Sequence, residues 1–283
     1  MSLVTHLPGA GVRKRGRRPT AVGGVGPLGL GVAMLWLSLI VLLPLAAVTT
    51  RAFDNGLIGF WDAINAPAAR SALILTTVIS VIVALINVVA GTLIAWVLVR
   101  DEFPGKRFFN ALIDLPFALP TIVASIVLLT LYGPRSPINL ELNATRPALI
   151  IALLFVTLPF VVRSVQPVLI EVDREAEQAA ASLGASNRTI FRRIVLPALG
   201  PALLGGAGLA FARAIGEFGS IVLIGGGIPY ETEVASQYIL KQIEVDRPVN
   251  AAAVSVALLA ISFIVLLILR TAAARSRRHE TGS

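Results

Sequence analysis

The chain has no cysteine, and its only two histidines, His6 and His279, stand in polar stretches close to its two ends. Disulfides and thiolate metal sites are therefore excluded, and no ligand set for a metal converges. Charge is scarce too: Asp, Glu, Lys and Arg make up 14% of the 283 residues, against about a quarter in an ordinary soluble domain. A phosphate-binding loop is missing, because Gly105-Lys106 is followed by Arg107 and the position five residues before Gly105 is Arg100. Any ATP would have to be bound by a partner. No Ser, His and Asp set occurs in the apolar runs, which weakens every reading as an intramembrane enzyme. No strand pattern competes with the helical one.

What is abundant is apolar residues, 56% of the total, gathered into six runs. Residues 28–48 are 21 uncharged residues, enough to cross a hydrocarbon layer about 30 Å thick. Five basic residues, Arg13, Lys14, Arg15, Arg17 and Arg18, precede this run, so a secretory signal is the competing reading. The run exceeds a signal's apolar region of about 7 to 15 residues, and further spans follow it. Runs 72–99, 111–132, 198–227 and 250–269 are also long enough, while 148–162 needs residues from both flanks. The prediction is an all-α integral membrane protein with six transmembrane helices, the first at 28–48 and five in a core at 70–270. Residues 1–27, with basic residues among Gly and Pro, read as a disordered tail, and 271–283 as a second basic tail. Residues 49–71 and 133–147 read as polar loops.

The net charge of +8 raises nucleic acid as a partner, but the basic residues flank apolar spans, where orientation in a membrane accounts for them better. With the N-terminus inside, 17 of the 24 Lys and Arg fall on the inner side and 6 on the outer, with Arg213 inside a span. This predicts that both termini and segment 173–197 face the cytoplasm.

Segment 173–197, DREAEQAAASLGASNRTIFRRIVLP, is a polar interruption in an oily chain. Ala176, Ala179, Ala180 and Leu183 share one helical face, Asp173 can cap the start, and Glu175 and Glu177 suit the first turn. Gly184 follows where a left-handed cap would end the helix, and a second helix can start at Ser186 or Asn187. A face of alanines lets a partner approach the backbone closely, which suggests docking; an amphipathic surface helix between two spans is the alternative.

The spacing Gln178-Ala179-Ala180, Gly184, Ile194, Leu196, Pro197 resembles the EAA loop of permease subunits of bacterial ABC importers. Gln178 stands where that pattern has Glu, with Glu177 one residue earlier. Further stretches extend the likeness: Asp114-Leu-Pro-Phe-Ala-Leu-Pro-Thr121, Pro159-Phe-Val-Val-Arg-Ser-Val-Gln-Pro-Val-Leu169, Arg213-Ala-Ile-Gly-Glu-Phe-Gly219 and Thr232-Glu-Val234. Together these resemble the CysT-type sulfate permease family, from about residue 41 to 269. The resemblance implies a MetI-like, type I ABC importer fold in a bacterial plasma membrane. It also implies a CysW-like second permease, two CysA-like subunits that bind ATP and Mg, an external sulfate-binding protein, and sulfate and thiosulfate as cargo. Residues 173–197 would pack into a groove on the ATP-binding subunit. The chain itself would be neither a catalyst nor a cofactor protein. A molybdate or tungstate importer is the nearest alternative, and a channel or ion-coupled transporter is one of a different class.

Inside the fifth run, Ala202, Gly206, Ala210 and Ala214 form one row of small residues and Gly208, Ala212, Gly216 and Ser220 another, a pattern for close helix packing in lipid. Arg213 and Glu217 lie four apart on one face. They form either a structural ion pair or part of a water-filled path in which Arg213 draws an anion. Asp114 is read as hydrated near a span end and Asn87 as interhelical glue. Pro116, Pro120 and Pro159 open the hydrogen-bond ladders of their helices and are candidate hinges, with fixed kinks as the alternative.

Overall fold

The computed structural model describes residues 27–281, and side chains from residue 29 to residue 274. The predicted disordered tail and both histidines lie outside the described residues or side chains. Two units are distinguished, residues 1–47 and 48–283. In the first, α1 (Pro27–Leu37) passes through a π turn, Ser38–Leu42, into α2 (Leu43–Ala52), whose last residues open the second unit.

The second unit is helical, and no strand occurs among the described residues. Its elements are α3 (Gly56–Asn65), α4 (Pro67–Arg100), α5 (Lys106–Ala118), α6 (Thr121–Tyr132), α7 (Arg146–Glu171), α8 (Arg174–Ser182), α9 (Asn187–Ile190), α10 (Leu196–Ile215), α11 (Ala235–Glu244) and α12 (Pro248–Thr281). Among all the described residues, by length and composition, five helical segments can cross a membrane, the first of them Gly29–Ala52, or six if α5 and α6 together make one span.

Helix α7 stands at the centre, packed against α4 and α10. Pro147 suits its first turn, where a missing N–H has no intrahelical partner, and Thr145 Oγ1 accepts the Ala148 N–H. Along its length Leu149, Val161, Val162 and Val165 are wholly buried. The small residues of α10 work as their spacing predicts. A Cβ added to Gly206 would stand 3.1 Å from the Val161 Cα of α7, while one on Gly208 would touch Leu266 of α12 at 3.6 Å. Helix α10 is thus wedged between α7 and α12 on its two seams. Between α4 and α7, Asn87 Nδ2 donates to Thr157 Oγ1 at 2.7 Å, the interhelical bond expected of it.

Several boundaries differ from those read in the sequence. The third run is two helices meeting at an angle of 113°. Pro120 drives the break: it has no N–H, and it pushes Leu119 into extended backbone at ψ 132°, so α5 ends there. Pro116, by contrast, stays inside α5, and Pro159 inside an unbroken α7. The fifth run stops being helical at Ile215, so Ser220 lies beyond the helix and outside its predicted row. Residues 217–234 follow as turns. The predicted loop 49–71 contains α3 and the start of α4, and backbone predicted as tail from residue 271 is helical as far as Thr281.

Candidate functional site

Three places gather the polar side chains of the second unit. The first is segment 173–197. Asp173 Oδ1 accepts the Glu175 N–H at 2.8 Å and starts α8, with Glu175 and Glu177 in the first turn near the positive end of the helix dipole. At the other end Gly184 adopts φ +85°, a conformation only glycine takes at little cost, and donates to Ala181 O while Ala185 donates to Ala180 O. This pair of bonds is a Schellman stop. Ser186 Oγ then accepts the Thr189 N–H, and α9 runs through a π turn, Phe191–Val195, directly into α10.

No side chain of α8 is buried. Ala176 and Ala179 are exposed, Ala180 is half-buried and Leu183 is 89% exposed, an apolar face that nothing among the described residues covers. Gln178 also faces outward. Glu177 does not: its Oε1 accepts from Arg100 Nη2 at 2.5 Å, and that guanidinium lies over the Trp96 ring, whose edge meets Phe191. The displaced Glu of the motif therefore holds α8 to the end of α4. Ile194 is half-buried beside Ala198, Val168 and Ala176, whereas Leu196 and Pro197 are exposed where α10 begins.

The second place is the end of α10. Arg213 Nη1 pairs with Glu217 Oε2. Glu217 lies past the helix with its side chain 1% exposed, and its Oε1 accepts the Ser220 N–H at 2.8 Å. Ser236 Oγ donates to the Glu217 carbonyl. Turns 217–234 find partners on other helices, as backbone away from water must. Ser125 Oγ of α6 accepts the N–H groups of Leu223 and Ile224, Ala144 donates to Ile224 O, and Arg146 Nε donates to Glu231 O. A Cβ on Gly219 would collide with the Thr121 side chain and reach within 3.0 Å of the Ile122 nitrogen.

The third place joins α5 to α7. Arg163 donates from Nε to Asp114 Oδ1 at 2.7 Å and from Nη2 to Asp114 Oδ2 at 2.5 Å, a bidentate fork. Asp114 is thus not simply hydrated, as the sequence suggested. The same guanidinium also donates to Asn110 Oδ1, Asn110 O and Gln166 Oε1. Asn110 and Gln166 escaped the sequence analysis, as did Arg100 and Ser125. The partners of Asn110, Arg100 and Ser125 lie 53 to 99 residues away along the chain, and no local pattern announces such pairs; Gln166 stands only three residues from Arg163, but both bond Asn110 on another helix.

The family described as binding-protein-dependent transport system inner membrane component matches residues 87–278, from within α4 to near the end of α12. The chain belongs to this family. Among relatives of this permease, the sulfate transport system permease protein CysT of a Synechocystis strain is 41% identical over 255 residues, covering 88% of this chain and 89% of that protein. Among solved structures, a bacterial ABC transporter involved in the import of the acidic polysaccharide alginate superposes with a TM-score of 0.73 at 17% identity, covering 87% of the permease and 93% of that chain. The inward-facing methionine transporter MetNI gives 0.53 at 18% identity, covering 71% and 94%. These likenesses establish the MetI-like fold of type I ABC importer permeases.

Proposed function

We propose that this chain is a permease subunit of an ATP-driven importer of sulfate and thiosulfate. The observation that carries this reading is the 41% identity to a CysT sulfate permease across 88% of the chain. In this reading the chain builds the membrane path with a CysW-like second permease. Two CysA-like subunits bind ATP and Mg, and an external sulfate-binding protein delivers the anion. The excess of Lys and Arg on one side supports a cytoplasmic location for both termini and α8, the side on which the ATPase works.

The exposed face of Ala176, Ala179 and Leu183 is the docking surface. Small side chains there admit close approach, and Leu183 gives the partner an apolar anchor. Movement of α8 passes into α10 through α9, because no break separates α9 from α10, and it passes into α7 through the two cap residues Val172 and Asp173. Pro120 is the hinge of the three candidate prolines, since only there is the helix interrupted. Arg213 is a structural residue: Glu217, enclosed and paired to it, cancels the field it would offer an anion.

Uptake of radiolabelled sulfate in cells lacking the chain, with and without the chain restored, tests the reading, with unlabelled thiosulfate, molybdate and phosphate as competitors. Restored uptake that thiosulfate alone suppresses is expected. Sulfate uptake independent of the chain would overturn the substrate assignment and move it to molybdate or tungstate.

A further inference from the structure

We infer that the cluster of Arg163, Asp114, Asn110 and Gln166 is the joint through which movement of α8 reaches α5, and hence the bent α5–α6 pair. The inference rests on the proposed importer function.

The cluster is saturated. A guanidinium has five N–H donors, and all five of Arg163 are engaged: Nε and one Nη2 proton on the Asp114 carboxylate, the other Nη2 proton on Asn110 O, and the two Nη1 protons on Asn110 Oδ1 and Gln166 Oε1. A planar fork bound at every donor fixes direction as well as distance, which a point charge does not. The cavity of about 510 Å³ beside it is lined by Lys106, Asn110, Arg163 and Gln166, and Arg163 has no N–H donor left to turn toward it.

Helix α5 is held to the bundle through α7. None of its side chains is fully buried, Ile113 packs at the edge of the apolar group of Val161, Val162 and Val165, and an apolar cavity of about 620 Å³, lined by Leu93, Val97, Phe109, Ile113 and Phe155 among others, lies between it and α4. Besides the cluster, the Phe117–Phe160 edge contact at 5.1 Å ties it to α7. Helix α6 is instead anchored, through Ser125, to the turns after α10. From Arg163 the backbone of α7 runs unbroken to Glu171, and after Val172 the next residue is the cap of α8. A displacement of α8 thus moves α7, the fork carries α5 with it, and the hinge at Pro120 lets α5 turn against a held α6. Two of the four stretches that carry the sulfate-permease likeness, 114–121 and 159–169, meet at this fork.

The test uses the assembled transporter in proteoliposomes, recording sulfate uptake and ATP hydrolysis together. Asp114→Asn breaks the fork. An Asn110→Cys/Gln166→Cys chain, clean because the protein has no other cysteine, is measured before and after linking with a short bifunctional methanethiosulfonate. The expected result is about a tenfold rise in ATP hydrolysed per sulfate for Asp114→Asn and for the unlinked pair, the size of a typical coupling effect, with return toward the wild-type ratio after linking. A ratio that stays at the wild-type value in both, or that linking does not change, would overturn the inference. So would parallel loss of uptake and hydrolysis, or failure of the cysteine chain to assemble, since the cluster would then only support the fold. Absence of sulfate uptake by the wild-type complex would instead refute the importer reading.

Discussion

Arg163 and Arg213 both stand in apolar helices and are compensated in opposite ways. Arg213 finds its acid four residues further along its own chain, and that acid is enclosed. Arg163 finds its acid 49 residues back, on another helix, in a place where both side chains are part-exposed, at 32% and 49%. The local pair finishes one helix end and holds the turns that follow. The distant pair joins two separate helices beside an apolar cavity. The enclosed local pair fixes one helix end, and the part-exposed distant pair is the one that the inferred movement of α5 would use.

The largest expected effect breaks the local pair. Arg213→Ala leaves Glu217, at 1% exposure, as an unpaired charge and is expected to cost about 3–5 kcal/mol in thermal melting of the solubilised protein. Glu217→Gln should cost clearly less, because Arg213 is a third exposed and the amide oxygen can still accept the Ser220 N–H. Equal losses in the two variants would show that burial of Glu217 is not what governs the pair. The double variant with Ala at both positions should recover much of the single Arg213→Ala loss.

For the distant pair, Arg163→Lys keeps the charge and removes the fork. Discounted for its exposure, the loss is about 1–2 kcal/mol in the same melting experiment, below that of Arg213→Ala. A larger loss would place the Arg163 cluster among the shape-fixing pairs. Next comes Gly184→Ala, which has open space around the new Cβ but must hold φ +85°; about 1 kcal/mol is expected, with uptake falling faster than membrane level as α8 shifts. Unchanged uptake in that variant would remove α8 from the coupling route. The smallest is Asn87→Leu, which removes one uncharged interhelical bond while Thr157 Oγ1 still donates to Leu153 O; about 0.6 kcal/mol is expected, the average for such bonds in a bilayer.

What could be read from the sequence follows the same division between local and distant. The caps of α8 and α9 were legible because Asp173, Gly184 and Ser186 act on backbone within five residues of themselves. The Gly206 and Gly208 seams were legible because helical periodicity fixes their faces. Apolar runs gave the spans but not their breaks. The run 198–227 stays apolar after the helix ends, because turns enclosed by neighbouring helices need the same composition as the helix before them. Nor could Pro116 and Pro120 be told apart by residue type: one stays within α5 and the other ends it. The pairing of Glu177 with Arg100, 77 residues apart, was not legible at all, and it is what turns that side chain inward and leaves Ala176, Ala179 and Leu183 as the free face.

The central claim is that this free face meets the ATPase, and single-cysteine labelling measures it most directly, because the protein supplies no cysteine of its own. With Ala179→Cys as the target, maleimide labelling in inverted membrane vesicles is compared with and without the ATP-binding subunit, after checking that the variant still supports sulfate uptake. The account predicts fast labelling of the chain alone and strong protection in the assembled complex. Equal labelling rates in the two would contradict it.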